Sequence, residues 1–254
     1  MSERKSIAVI DIGNSNIKAI VDNEKLISDY SVDWTNKIYI FLENHLASNA
    51  IVGISSVHPE RFSQLIEKIK YKVITADELL KNQNIIDFSE IEGIGNDRLL
   101  GLIGATINFS PPLITVDCGT AITINVLNEK YKCEGGIIFA GIETQLEALS
   151  IKTAQLNKID LYPEDDIIGK KTDSAIRIGI INGIAGAVIY LIDNIIKQYF
   201  YDKNINIILT GGTSRLIRPL LEKTNLKFHI DENLVLIGLL HLINHSFGTN
   251  FAKH

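Results

Sequence analysis

One short pattern that occurs twice constrains this chain more than any other feature. Ile10-Asp11-Ile12-Gly13-Asn14-Ser15 and Val116-Asp117-Cys118-Gly119-Thr120-Ala121 each put D-x-G at the end of a β-rich run, directly before another such run. The two copies are 106 residues apart, about the length of a small domain. A single D-x-G is what many hairpin turns contain, but two at a domain-sized offset point to a duplicated unit. The simplest arrangement is two related domains, 1–110 and 111–254, divided near Phe109–Pro112, with each turn directed into a central cleft.

The runs around the two turns alternate between strand and helix patterns, which indicates an α/β fold. In the first half, strands are expected at Ile7–Ile12, Ile17–Asp22, Leu26–Tyr30, Ala50–Ser55 and Tyr71–Ile74, with helices at Trp34–Leu46, Pro59–Lys70 and Asp97–Thr106. Ala76–Gly95 carries no periodicity and reads as a surface loop. In the second half, strands are expected at Leu113–Val116, Ile122–Leu127, Tyr131–Ile138, Ile205–Leu209 and Lys227–Ile230. Helices are expected at Gly141–Ser150, Asp173–Phe200, from Ser214, and at Leu234–His245.

Composition excludes several function classes. A net charge of −5 argues against a general nucleic-acid binder, which needs a basic face to displace counterions. An anionic ligand must therefore be held by a local pocket. The apolar stretch Ile178–Ile192 contains Asn182 and falls short of the roughly 20 residues that span a bilayer, so no membrane partner is expected. Ile7–Ile10 is broken by Asp11 too early for a signal peptide. Cys118 and Cys133, with no metal-ligand spacing, read as small buried residues in a reducing, cytoplasmic compartment.

A carboxylate, a glycine and then hydroxyl or amide side chains on a turn suit a metal–phosphate site. Glycine lets backbone N–H groups come close to phosphate, and aspartate holds Mg²⁺ directly or through water. Lys18 could add a point charge, although spacing alone favours a solvated strand lysine. Gly95-Asn96-Asp97-Arg98 opens a helix, where an anion is favoured and Arg98 offers a planar fork for a carboxylate. Asp97 is placed to take a proton from a substrate hydroxyl, but it is also the residue that a first helical turn prefers. Thr210-Gly211-Gly212-Thr213 is either a flat seat for an adenine ring or a plain βα turn. The sequence has no G-x-x-x-x-G-K-[ST], no complete G-x-G-x-x-G, no H-E-x-x-H and no G-x-S-x-G.

Taken in order, these motifs resemble the acetate and sugar kinase/Hsp70/actin superfamily, and within it the type III pantothenate kinases. Asp11-Ile12-Gly13-Asn14-Ser15…Lys18 is similar to that family's D-x-G-N-[TS]-x-x-K, and Gly95-Asn96-Asp97-Arg98 to its G-x-D-R. Asp117-Cys118-Gly119-Thr120-Ala121-Ile122-Thr123 is similar to D-x-G-T-A-x-T. Gly135-Gly136…Gly141, Ala148-Leu149 and Gly169-Lys170-Lys171-Thr172…Gly179 follow where the family has G-G…P-G…A-L and G-x-x-T…G.

The resemblance implies two ribonuclease H-like domains with mixed sheets facing a cleft, the actin-like ATPase fold. It also implies ATP-dependent phosphorylation of pantothenate to 4'-phosphopantothenate, the first step of coenzyme A biosynthesis. Asp11, Ile12, Gly13, Asn14, Ser15, Asn16, Ile17 and Lys18 would cradle the ATP phosphates, Asp11 with Mg²⁺, and Thr120 would contact ATP. Asp97 would be the general base, and Gly95, Asn96, Asp97 and Arg98 would contact pantothenate. Asp117 would bind the monovalent cation, K⁺ or NH₄⁺, and Thr172 would reach substrate from the partner of a homodimer whose active site lies near the interface.

Three positions depart from the family pattern. Phe88–Gly93 lacks the usual Tyr and Asn-Pro, Ala140 stands for the P-G proline, and Asn157 replaces a later proline. The other readings are a non-catalytic regulator of the same fold that binds nucleotide or pantothenate, and a superfamily kinase for another small hydroxyl substrate.

Overall fold

A computed structural model describes residues 7–22, 24–152, 159–201 and 203–247. The chain begins with β1 (Ile7–Ile12), β2 (Ile17–Val21), β3 (Glu24–Ser28), α1 (Trp34–His45), β4 (Ile51–Ser56) and α2 (Pro59–Ile66). It continues through β5 (Lys72–Thr75), α3 (Ala76–Lys81), α4 (Asn96–Asn108), β6 (Leu113–Cys118), β7 (Ala121–Leu127) and β8 (Cys133–Ala140). The last elements are α5 (Ile142–Lys152), α6 (Thr172–Tyr199), β9 (Asn206–Thr210), α7 (Ser214–Leu221), β10 (Phe228–Ile230) and α8 (Leu234–Phe247). Asn157 lies outside the described residues.

Two compact units result, one from Met1–Asn108 with Asn233–His254 and the other from Phe109–Glu232. The division drawn from sequence leaves α8 in the second half, whereas α8 packs on α4, β1 and β4 of the first unit. The physical reason is glycine. Gly104 of α4 and Gly238 of α8 let the two helix backbones meet where any side chain would collide.

The first sheet runs β3-β2-β1-β4-β5 and the second β8-β7-β6-β9-β10, so the two are the same mixed sheet built twice. In each, the strand carrying D-x-G is central: it pairs antiparallel with the strand after it and parallel with a later one. Period-two alternation sorts side chains to the two faces. Ala8, Ile10 and Ile12 join Trp34, Ile38 and Leu42 in one core, while Gly53 faces Leu239 and Ile243 of α8 on the opposite face. In the second unit β6, β7 and β9 pack against one face of α6 through Ile180, Ile181, Ile184, Val188 and Ile192.

One element differs from expectation. Ala76–Lys81 is a helix, because Thr75 accepts from the Glu78 N–H at 3.3 Å while Glu78 accepts from the Thr75 N–H at 3.0 Å, a complete capping box. Leu79 and Leu80 are buried by it. The long α6 helix forms where it is expected, and its 28 residues are by length and apolar composition alone enough to cross a membrane. Its buried side nevertheless belongs to the core of the second unit.

Candidate active site

The first D-x-G turn is set by strand register. Asp11 lies opposite Lys18 across the β1–β2 ladder, so the two side chains share a face about 5 Å apart at their β-carbons. Lys18, which spacing alone favours as a solvated strand residue, thus lies beside the carboxylate. On the parallel side Asp11 pairs with Ser55. The Ser55 hydroxyl is buried and has no hydrogen-bond partner among the described residues.

Between the strands the turn closes with Gly13 N–H donating to Asn16 O at 3.1 Å. A β-carbon on Gly13 would stand 3.1 Å from that same oxygen. Behind the turn, Arg61 Nη1 donates to Gly13 O at 3.1 Å and to Asn14 O at 2.6 Å. Tyr30 Oη donates to Gly13 O at 2.6 Å or Asn16 O at 3.0 Å, and the Arg61 guanidinium stacks 3.5 Å over the Tyr30 ring.

Gly95-Asn96-Asp97-Arg98 forms the entry to α4. Gly95 O accepts from Arg98 N–H at 3.1 Å and Leu99 N–H at 3.2 Å, and Asp97 Oδ1 accepts from Arg98 N–H at 2.9 Å. The Asp97 carboxylate therefore lies over Gly95, where a β-carbon would strike it. This bond suits the helix-start role and also fixes the carboxylate in one place. Before this turn, the segment that departs from the family pattern wraps a cleft of about 240 Å³, with Phe88, Ile91, Gly93 and Ile94 facing Leu80 and Asn96.

The second D-x-G turn is built on the same plan. Asp117 pairs with Thr123 and with Thr210, and Gly119 N–H donates to Ala121 O at 3.1 Å. Gly141 N–H and the Thr144 hydroxyl both donate to Thr120 O, at 2.9 and 2.6 Å. Gly141 must be glycine, since a β-carbon would come within 2.7 Å of Thr120 O. The Thr210–Thr213 turn packs directly on this loop: Thr213 donates to Cys118 O through its N–H at 3.0 Å and its hydroxyl at 2.8 Å. Gly211 has φ +91 and lies against Asp117 and Cys118. Burial pushes the Cys118 thiol well above its usual range, so it stays neutral.

Thr172 is the exposed first residue of α6. Buried Arg177 anchors the segment before it by pairing with Glu164, donating to Asp160 O at 2.7 Å and stacking 3.8 Å over Tyr162. Among the described residues no cluster of three or more His, Cys, Asp or Glu could cage a metal ion. The Asp11 carboxylate, paired in register with Ser55, fits Mg²⁺, which takes one or two carboxylates and keeps waters and phosphate oxygens among its ligands.

Sequence reasoning did not single out Ser55, Arg61 or Tyr30. Their contacts to the turn come from residues distant in the chain, and no local pattern marks them.

A duplicated mixed sheet with an aspartate turn at the end of each central strand is the architecture of the actin-like ATPases and sugar kinases. The fold is similar to a conserved Baf family protein from Campylobacter jejuni (TM-score 0.60, 20% identity, 94% of this chain and 98% of that one). It is also similar to the activator of 2-hydroxyisocaproyl-CoA dehydratase from Clostridium difficile, solved with bound ADPNP (TM-score 0.50, 10% identity, 98% and 100%). Residues 7–194 match the sequence profile of the type III pantothenate kinase family. Relatives carrying that name include one from Thermosipho africanus, 35% identical over 85% of this chain and 91% of its own. Another, from Sulfurihydrogenibium, is 31% identical over 93% and 98%. The chain belongs to the type III pantothenate kinase family.

Proposed function

We propose that this protein transfers the γ-phosphoryl group of ATP to the primary hydroxyl of pantothenate, giving 4'-phosphopantothenate and ADP at the entry to coenzyme A biosynthesis. Family membership across nearly the whole chain carries this reading. The three motif aspartates, two near the ends of central strands and one in the first turn of α4, supply the chemistry.

Asp97 takes the proton of the hydroxyl as its oxygen forms a bond to the γ-phosphorus and the bond to the ADP oxygen breaks. Its clamp to the Arg98 N–H keeps the carboxylate in place while Arg98 receives the pantothenate carboxylate. Gly95 and Asn96 contact the same substrate. The turn from Asp11 to Lys18 holds the β- and γ-phosphates with backbone N–H groups and the Lys18 charge, and Thr120 contacts the nucleotide. Mg²⁺, held by Asp11, would neutralise charge developing on the transferred group. Asp117 holds K⁺ or NH₄⁺.

The functional state is a homodimer in the cytoplasm, with Thr172 reaching the partner's substrate. The exposed line Gly179, Gly183, Gly186 and Tyr190 on α6 supports close helix packing between copies. The test is coupled ADP release with Mg-ATP and K⁺, with and without pantothenate. Pantothenate-dependent ADP with phosphopantothenate seen by mass supports the proposal. ATP binding without stimulation rejects the substrate.

A further inference from the structure

We infer that Arg61 and Tyr30 are positioning residues that latch the Asp11–Lys18 turn from behind and aim its N–H groups at a polyphosphate. The inference rests on the reading of that turn as the ATP phosphate site.

The argument begins with which carbonyls are held. Gly13 O accepts from Arg61 and, at the shorter of its two distances, from Tyr30; Asn14 O accepts from Arg61, and Asn16 O accepts from the Gly13 N–H, with Tyr30 Oη as the alternative donor. In a trans peptide the N–H points opposite to the C=O of the same plane. Fixing the carbonyls of Gly13 and Asn14 on the Arg61 side therefore turns the N–H groups of Asn14 and Ser15 to the other side, forming an anion-binding concavity. A flipped peptide would instead present an oxygen to the phosphate. The guanidinium charge at the carbonyl ends also polarises these peptides in the sense that favours an anion.

The latch is itself anchored. Val57 N–H donates to Ile12 O at 3.2 Å, and the Ser56 hydroxyl accepts from His58 N–H at 3.0 Å, which fixes the start of α2 and hence Arg61. Tyr30 meets buried Trp34 edge-on with ring centroids 5.3 Å apart. Burial raises the Tyr30 hydroxyl above its usual pKa against the opposing pull of Arg61, so it remains a donor at neutral pH.

The experiment compares Arg61→Ala, Arg61→Lys, Tyr30→Phe and the Ala/Phe double variant with the wild type. It measures ATP Kd by calorimetry, KM for each substrate, and Tm. Arg61→Ala is expected to raise ATP Kd and KM roughly tenfold with pantothenate KM unchanged, as expected for lost charge-assisted bonds. Tyr30→Phe, which keeps the ring under the guanidinium, is expected to raise ATP Kd by about threefold. The double variant should lose less than the product of the two, because both residues hold Gly13 O. Guanidinium ion should restore part of the Arg61→Ala loss.

ATP Kd within twofold of wild type in both folded single variants overturns the latch, as does an equal rise in both KM values. Wild-type protein that binds ATP but ignores pantothenate overturns the substrate reading alone, since the latch is read on nucleotide Kd. Wild-type protein that binds no ATP overturns both.

Discussion

Gly104 and Gly238 meet backbone to backbone: a β-carbon on either would stand 3.0 Å from the amide nitrogen of the other and would collide with a carbonyl of the facing helix. The α4 helix, which carries Asp97 in its first turn, is held on its unit at this crossing. Overpacking a close backbone contact costs about 1–3 kcal/mol. Gly238→Ala is expected to lower Tm by roughly 5 °C, measured by calorimetry. An unchanged Tm would mean that the helices cross elsewhere.

Asp97→Asn is expected to reduce kcat by about 10²–10⁴-fold, the usual contribution of a positioned general base. ATP Kd should stay close to wild type, because the amide oxygen can still accept from Arg98 N–H. Turnover near that of wild type would remove Asp97 from the proton transfer.

Activity should require K⁺ or NH₄⁺ and fall in Na⁺, and Asp117→Asn should abolish the difference among the three. Rates measured at constant ionic strength check this. Equal rates in all three salts for the wild type would dismiss the cation role.

Adjacent glycines in the second unit should behave differently. Gly211→Ala meets both a φ of +91 and the Cys118 backbone, whereas a β-carbon on Gly212 meets nothing within 4 Å. Gly211→Ala should lower Tm by several degrees and weaken ATP binding, while Gly212→Ala leaves Tm unchanged. A rise in ATP KM for Gly212→Ala alone would support this pair as the seat of the adenine ring.

Both thiols should resist modification in the native protein. Cys118 and Cys133 are buried, and the environment of Cys118 suppresses its thiolate. Rapid labelling of either by a disulfide reagent without denaturant would contradict this packing.

The duplication was legible because D-x-G depends on local geometry: a strand ends, a glycine admits a tight turn, and another strand begins. That local rule carries over to strand order, with β1 and β6 central in matching sheets. Thr75-Ala76-Asp77-Glu78 also held a readable capping box, hidden by the irregular residues after it. What spacing could not reveal depends on contacts distant in sequence. Arg61 reaches Asn14 from 47 residues away, and α8 returns to α4 only because two distant glycines coincide. The pairing of Asp11 with Ser55 likewise needs the parallel crossover to be known.

The return of α8 to the first unit has a consequence for synthesis on the ribosome. Phe109–Glu232 emerges as one uninterrupted stretch and can fold as soon as it is made. The first unit cannot, although its strands emerge earlier, because the apolar side of α4 stays uncovered until Leu234–Phe247 has been translated. The helix that bears Asp97 therefore waits until α8 has been translated. A nascent chain stalled before that point would expose this surface to chaperones while its second unit is already complete.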